Sequence, residues 1–377
     1  MPLRLTEPSS PYAPPEPAPV SGVITLYRHS RPRLVCLPAI WRDDPHVNLW
    51  APCSTGELTL PFSSSSSGIA PRLRSLHRAA IALLLGTSLA VVPHARAADA
   101  FLPLSAPSTK SVLPGKIVYA QLTTPDLAQA KTFYGTLLGW TFKDIPVSRG
   151  HYAQAMAGGR NVAGFIEHPL PSGDAARHEP LWLPFISATD PDALAQTAQS
   201  WGGKILFRPR DIPGLGRETL IADPQGGVFA VIHSESGDPA DSDTPTAQGE
   251  WIWSALLTGI PANAAGFYQK LFGYEVQTSQ DPSSPLRYAL ESQGYARATV
   301  NPLPPRLPAN APARWMSFVQ VDSVGAAAEK VPQLGGKVLV EPHLDHNNCM
   351  IAIVSDPAGA VFGIMEWHMP TAAGEAK

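Results

Sequence analysis

Residues 116–140 read KIVYAQLTTPDLAQAKTFYGTLLGW, and residues 250–274 read EWIWSALLTGIPANAAGFYQKLFGY. Phe133-Tyr134 and Gly139 in the first stretch match Phe267-Tyr268 and Gly273 in the second, at an offset of 134 residues. The match continues downstream. LWLPFISATDPDALAQTAQSWGGKILF (181–207) lines up with RWMSFVQVDSVGAAAEKVPQLGGKVLV (314–340) at an offset of 133. This pairs Trp182 with Trp315, Phe185 with Phe318, and Gly202-Gly203-Lys204 with Gly335-Gly336-Lys337. Asp223-Pro224, Gly226 and Phe229 match Asp356-Pro357, Gly359 and Phe362 at the same offset. A nearly constant offset through three separate blocks marks an internal duplication. The chain therefore reads as two homologous modules, 112–236 and 250–369. The linker at 237–249 lies within SESGDPADSDTPTAQG (Ser234 to Gly249), whose Asp, Pro and Gly suit an exposed, mobile connection between separate cores.

Each module has an inner rhythm. Val118–Thr123 reads as a short strand. Asp126 is placed to cap a helix in which Ala128, Ala130, Phe133 and Leu137 fall on one stripe, and Gly139 closes it. Short strands are expected around Ala153–Met156 and Val162–Glu167, then a strand at Trp182–Ala188 and a second helix over Asp190–Trp201. Strands at 204–208, 218–222 and 228–233 complete the module. The order is βαβββ twice. A helix with one apolar stripe must lie on a sheet face, so the fold class is α+β.

The first hundred residues differ. SSPYAPPEPAP (Ser9 to Pro19) and SSSSSG (Ser63 to Gly68) carry no sustained apolar period, and 1–70 reads as a disordered or non-native upstream segment. Arg72, Arg74, His77 and Arg78 then precede the apolar run AAIALLLGTSLAVV (Ala79 to Val92), which is followed by Pro93-His94-Ala95-Arg96-Ala97. Basic, apolar and Ala-x-Ala parts in that order make 71–97 an export signal, cut between Ala97 and Ala98. The run is shorter than the roughly 20 residues a membrane-spanning helix needs. A periplasmic or secreted protein with no stable membrane insertion after cleavage is expected. The product would keep only Cys349 of the three cysteines and so no internal disulfide. Charged residues are 16% of the chain, the net charge is −3, and no basic patch points to nucleic acid. A homo-oligomer is compatible with the sequence.

The strand–TPDLAQAKTFYGTLLGW opening and the closing stretch GGKILFRPRDIPGLGRETLIADPQGGVFAVI resemble the glyoxalase/bleomycin-resistance-type proteins, the vicinal oxygen chelate superfamily. The resemblance rests on Phe133-Tyr134, Leu138-Gly139-Trp140, Gly202-Gly203 and Asp223-Pro224-Gln225-Gly226. Phe267-Tyr268, Phe272-Gly273-Tyr274, Gly335-Gly336 and Asp356-Pro357-Ala358-Gly359 repeat it, and together it covers nearly all of 112–369. It implies paired βαβββ units with a curled mixed sheet around a cavity. Members include metal-dependent isomerases, lyases and dioxygenases, and metal-free proteins that sequester small molecules. Fold alone does not choose among these.

The resemblance also implies where a divalent ion would be held. The first-strand position is Tyr119 in one copy and Trp253 in the other, the fifth-strand positions are Leu183 and Met316, and the last-strand positions are Ala230 and Gly363. None is an ordinary ligand, a rare tyrosinate aside. Glu167 and His168 lie near the fourth-strand position of copy one, and Val300 and Asn301 near that of copy two. Glu341, His343, Asp345 and His346, in EPHLDHNN, read as an exposed polar loop, and His233 and Glu366 as matched rim residues at strand ends. Cys349 reads as a packed small residue. Period-2 alternation puts Tyr119, Gln121 and Thr123 on one face, and Trp253, Ala255 and Leu257 on its counterpart.

These residues favour an exported protein that binds a small apolar or aromatic molecule through Tyr119, Gln121 and Trp253, with no catalytic metal or other cofactor. The first module is the expected binding half, because Tyr119 and Gln121 offer polar handles there. Two readings stay open. One is a metal-dependent lyase or dioxygenase whose divalent metal is held by unusual ligands such as Glu167, His168, His343 and His346. The other is a structural module that serves a protein partner.

Overall fold

The computed structural model describes residues 101–147, 150–168, 180–242, 244–278, 286–305, 307–345 and 349–367. It also gives the backbone of a short antiparallel hairpin, β1 (Thr25–Arg28) with β2 (Arg31–Leu34), where no element was expected. The rest of 1–70 and the whole export signal at 71–97 lie outside the described residues. Among those described, no helix is long and apolar enough to cross a membrane.

The first module starts with β3 (Ile117–Thr124), α1 (Leu127–Leu138), β4 (Thr141–Ile145), β5 (Tyr152–Ala157) and β6 (Arg160–Glu167). The pattern recurs as β7 (Leu181–Ser187), α2 (Pro191–Ser200), β8 (Lys204–Ile212), β9 (Gly216–Ala222) and β10 (Val228–Ser234). The second module repeats it as β11 (Trp251–Thr258), α3 (Pro261–Phe272), β12 (Glu275–Thr278), β13 (Tyr288–Ser292) and β14 (Tyr295–Pro302). Its last unit is β15 (Arg314–Gln320), α4 (Val324–Gln333), β16 (Lys337–Leu344), β17 (Met350–Ser355) and β18 (Val361–Glu366). Each module is one eight-stranded mixed sheet that does not close. The orders are β4-β5-β6-β3-β7-β10-β9-β8 and β12-β13-β14-β11-β15-β18-β17-β16. The two βαβββ units of a module meet at a central antiparallel pair, β3 with β7 and β11 with β15, flanked on both sides by parallel pairs.

The caps show why the helices start and stop where they do. The Asp126 side chain accepts from Gln129 N, and Gly139 closes α1 in the left-handed region at φ 74°. Asp190 accepts from Asp192 N and Ala193 N at the start of α2. Ile260 replaces such a cap before α3. There Gln225 of the first module holds the cap residue itself, accepting from Ile260 N and donating to Ile260 O, and no side chain caps the first turn.

That contact belongs to a larger departure from the expected separate cores. α1 and the face of β3, β5 and β6 beneath it share one apolar core with α4, β17 and β18. α2 and α3 share another with their sheets. The repeated motif residues make this junction. The Phe133 ring lies 2.9 Å from where a Cβ on Gly336 would stand, and the Phe267 ring lies 3.1 Å from the same point on Gly203. The Tyr134 hydroxyl donates to Asp356, and Tyr268 repeats the bond to Asp223. The start of the linker is bonded to the modules beside it. Asp238 accepts from Leu113 N and Ser187 Oγ, and Asp241 pairs with Lys116 and, through both guanidinium nitrogens, with Arg297. Cys349 is buried as expected but is disulfide-bonded. No internal disulfide was expected, because the cleaved product keeps Cys349 alone.

Candidate functional site

Alternation along β3 divides its side chains. Ala120 and Leu122 face α1, while Tyr119 and Gln121 face the opposite, helix-free side of the sheet. Register carries that side across the strands. Tyr119 stands opposite Phe185, which stands opposite Ala230. Gln121 stands opposite Leu183 on one side and Gly164 on the other, and Gly164 faces Gln154. Three sequence-assigned positions, Tyr119, Leu183 and Ala230, therefore share one face. In the second module Trp253, Phe318 and Gly363 form the equivalent row, with Ala255 opposite Met316.

Tyr119 is buried, and its ring meets Phe185 edge-on at 5.6 Å. Burial, first of all, pushes its hydroxyl well above the ordinary phenol range, with Tyr152, Gln154 and Asn161 nearby pulling it back. Tyrosinate is disfavoured there. The hydroxyl makes no well-formed hydrogen bond among the described residues, although Tyr152, Gln154 and Asn161 all stand close to it. Tyr152 donates to Gln121 Oε1 over 3.3 Å. Both phenols need Gly164: a Cβ there would lie 1.9 Å from the Tyr152 oxygen and 3.0 Å from that of Tyr119. Glu218, on β9, is held above its ordinary value by burial, with Arg210 opposing. Trp253 packs among Ala255, Leu257, Met316 and Phe318 and donates through Nε1 to Thr299 Oγ1 over 3.2 Å.

Residues just after the predicted cleavage point were missed by sequence reasoning. Phe101 meets the Tyr152 ring edge-on at 5.1 Å. Leu102 N donates to Gln154 Oε1 over 2.6 Å, and Leu102 O accepts from Gln154 Nε2 over 3.2 Å and Asn161 Nδ2 over 2.9 Å. Leu104 packs with Tyr119, Phe185, Leu215, Ala230 and Ile232. Ser105, Ser108, Thr109 and Lys110 then tie the segment to Ser236. The one signal for this strap was Gln154, a polar residue on an interior strand that needs a buried partner.

The residues present do not fit a divalent ion. Tyr119, Leu183, Ala230, Trp253, Met316 and Gly363 present no nitrogen or carboxylate donor to one. A Cβ on Gly363 would lie 2.1 Å from the Phe318 ring, so that ring occupies the space a last-strand ligand would use. Among the described residues no three His, Cys, Asp or Glu side chains are placed to share an ion. Glu167 accepts from Leu127 N at the start of α1 over 3.2 Å, and Glu366, read as a rim residue, accepts from Val324 N at the start of α4 over 3.1 Å. His168 bonds through its backbone to Thr124, and the His233 ring lies 3.2 Å from Ala188 O. The EPHLDHNN stretch is partly strand, since β16 runs through Leu344. His343 contacts Glu341 O at 2.8 Å, the buried Asp345 accepts from Cys349 N, and His346 lies outside the described residues.

The model of the Glyoxalase/Bleomycin resistance protein/Dioxygenase superfamily matches residues 116–231, and that of a glyoxalase-like domain matches 255–365. The chain is 31% identical to "Putative glyoxylase CFP32" of Mycobacterium bovis over 250 residues, covering 66% of this chain and 93% of that protein. It is 26% identical to "Anthracycline biosynthesis protein DauV" of a Streptomyces species over 268 residues, covering 67% and 94%. A Mn(II)-bound glyoxalase from Novosphingobium aromaticivorans aligns with a TM-score of 0.46 at 18% identity, over 68% of this chain and 83% of that one.

Proposed function

Since the chain belongs to the glyoxalase/bleomycin resistance protein/dioxygenase superfamily, we propose that it is a metal-independent member which binds a small apolar or aromatic molecule on the helix-free face of its first module. The observation that carries the reading is the set of side chains at the six positions where the family resemblance places metal ligands. Tyr119, Leu183 and Ala230 in one module, and Trp253, Met316 and Gly363 in the other, supply rings, methyls and a bare backbone instead. A face lined by Tyr119, Tyr152 and Phe185 with a few amide and hydroxyl groups suits a flat apolar ligand oriented by few hydrogen bonds. A relative named for anthracycline biosynthesis accords with an aromatic ligand. Export on the signal at 71–97 is part of the same proposal, and would put the binding event outside the cytoplasm.

The test is the composition of protein purified from cells without added metal. Elemental analysis should find no stoichiometric transition metal, and native mass spectrometry should find a small aromatic molecule retained by the folded chain. A stoichiometric, tightly held transition metal would overturn the reading in favour of a metal-dependent enzyme.

A further inference from the structure

The geometry points to a ligand class for this face: a molecule that carries an N–H donor and a carbonyl on one edge beside an aromatic ring, as an N-acylated phenylalanyl amide does. Phe101-Leu102 is its resident stand-in. The inference rests on the first module's helix-free face being the binding face.

Gln154 is fully buried on β5, which has hydrogen-bonded strands on both sides. Its backbone is committed to the sheet, so only its carboxamide is free to recognise something. Both ends of that carboxamide engage one residue, with Leu102 N–H on Oε1 and Leu102 C=O on Nε2, and Asn161 adds a second donor to the same carbonyl. A residue in extended conformation presents its N–H and C=O on the same edge, which is what a side-chain carboxamide matches two-fold. Phe101 supplies the ring that meets Tyr152.

The face also holds more polar capacity than the strap uses. Asn161 Oδ1, an acceptor, is buried with no partner among the described residues, and Tyr119 Oη, a donor, makes no well-formed bond although Tyr152, Gln154 and Asn161 stand close to it. Native proteins leave few such atoms unbonded. A ligand with a further carbonyl toward Tyr119 and a further N–H toward Asn161 makes bonds that Leu102 does not, and so competes with the strap. The strap can yield locally, because its bonds through Ser105, Ser108, Thr109 and Lys110 to Ser236 do not depend on Phe101 or Leu102.

The experiment uses the full chain and N-acetyl-Phe-Leu-amide as probe, with calorimetric titration as the readout. Phe101→Ser combined with Leu102→Pro removes the ring and the N–H donor of the strap. This variant should bind the probe at least tenfold more tightly than the unaltered chain. An analogue with an ester oxygen in place of the Leu N–H should lose about tenfold, as should adding Gln154→Leu. Asn161→Ala, near the start of β6, serves if Gln154→Leu fails to fold. Equal binding to strapped and loosened chains, or equal binding of amide and ester, overturns the inference. If naphthalene binds the loosened chain while the amide probe does not, amide recognition is refuted and the broader reading stands. Failure of both probes removes the inference and the first module's role together.

Discussion

Tyr134→Phe removes a single oxygen atom from the junction between the two halves. The Tyr134 hydroxyl donates to Asp356 Oδ2 over 3.2 Å and accepts from Trp182 Nε1 over 2.9 Å, and all three residues are buried. The substitution therefore leaves two buried polar groups short of a partner. Each such loss costs about 1–3 kcal/mol. The two groups share one site, so the costs do not add fully, and the expected total is roughly 2–4 kcal/mol. At about 2–4 °C per kcal/mol for a unit of this size, the calorimetric midpoint should fall by roughly 4–16 °C. The pH dependence has a defined sign. Burial holds the Asp356 carboxyl above its ordinary value, while the backbone N–H groups and Tyr134 pull it back. With the folded value raised, the native state binds more protons than the unfolded chain between the unfolded and folded values. Stability from this group is thus present at acid pH and falls as pH rises through that window. Losing the Tyr134 bond raises the folded value further. The gap between variant and unaltered protein should then be widest at neutral pH and narrow in acid. Calorimetry at neutral pH and near pH 4, close to the unperturbed carboxylate value, checks both statements. A midpoint shift under about 1 °C, a gap that widens in acid, or two separate transitions for the halves would refute the reasoning.

Trp253→Ala should destabilise the protein by about 3–5 kcal/mol in denaturant titration, because its ring is packed and its N–H is bonded to Thr299; a loss under about 1 kcal/mol would mean the ring is not core. Glu167→Ala should cost about 0.5–2 kcal/mol, as loss of a helix-end acceptor does, and leave metal content unchanged; a variant that loses a bound transition metal would restore the enzyme reading. N-terminal sequencing of protein from its native host should begin at Ala98, and a start well upstream of residue 90 would sink the export proposal.

The duplication was legible as repeated residues at a constant offset, and the α+β architecture was legible because its signals are local. A constant offset needs no knowledge of contacts, caps and alternation need only neighbouring residues, and Asp126, Gly139 and Asp190 act in the structure as their positions predict. The junction was not legible, although its residues were in plain view. Phe133, Tyr134, Gly336 and Asp356 stood out as repeated motif positions, but a period cannot say that Phe133 of one half fills the space over Gly336 of the other. β4, a five-residue strand at the sheet edge, was not expected. The linker misled for a related reason. Its aspartates look like solvent-exposed charge until Lys116 and Arg297, far away in sequence, are brought against Asp241.

The candidate site divides along the same line. Alternation put Tyr119 and Gln121 on one face, and the register keeps them there with Leu183 and Phe185. Alternation says which way a side chain points and nothing of what lies against it. What lies against Tyr119 is Leu104, from an irregular segment beside the predicted cleavage point with no period to announce it. The arrangement explains how a polar residue such as Gln154 is tolerated on an interior strand: Leu102 satisfies both ends of its amide. It also puts opposing demands on one face. Stability favours a strap that satisfies Gln154, while the proposed binding requires that the strap give way. The Asn161 carbonyl oxygen and the poorly bonded Tyr119 hydroxyl bear on that competition, since any partner that reaches them gains what Leu102 leaves unused.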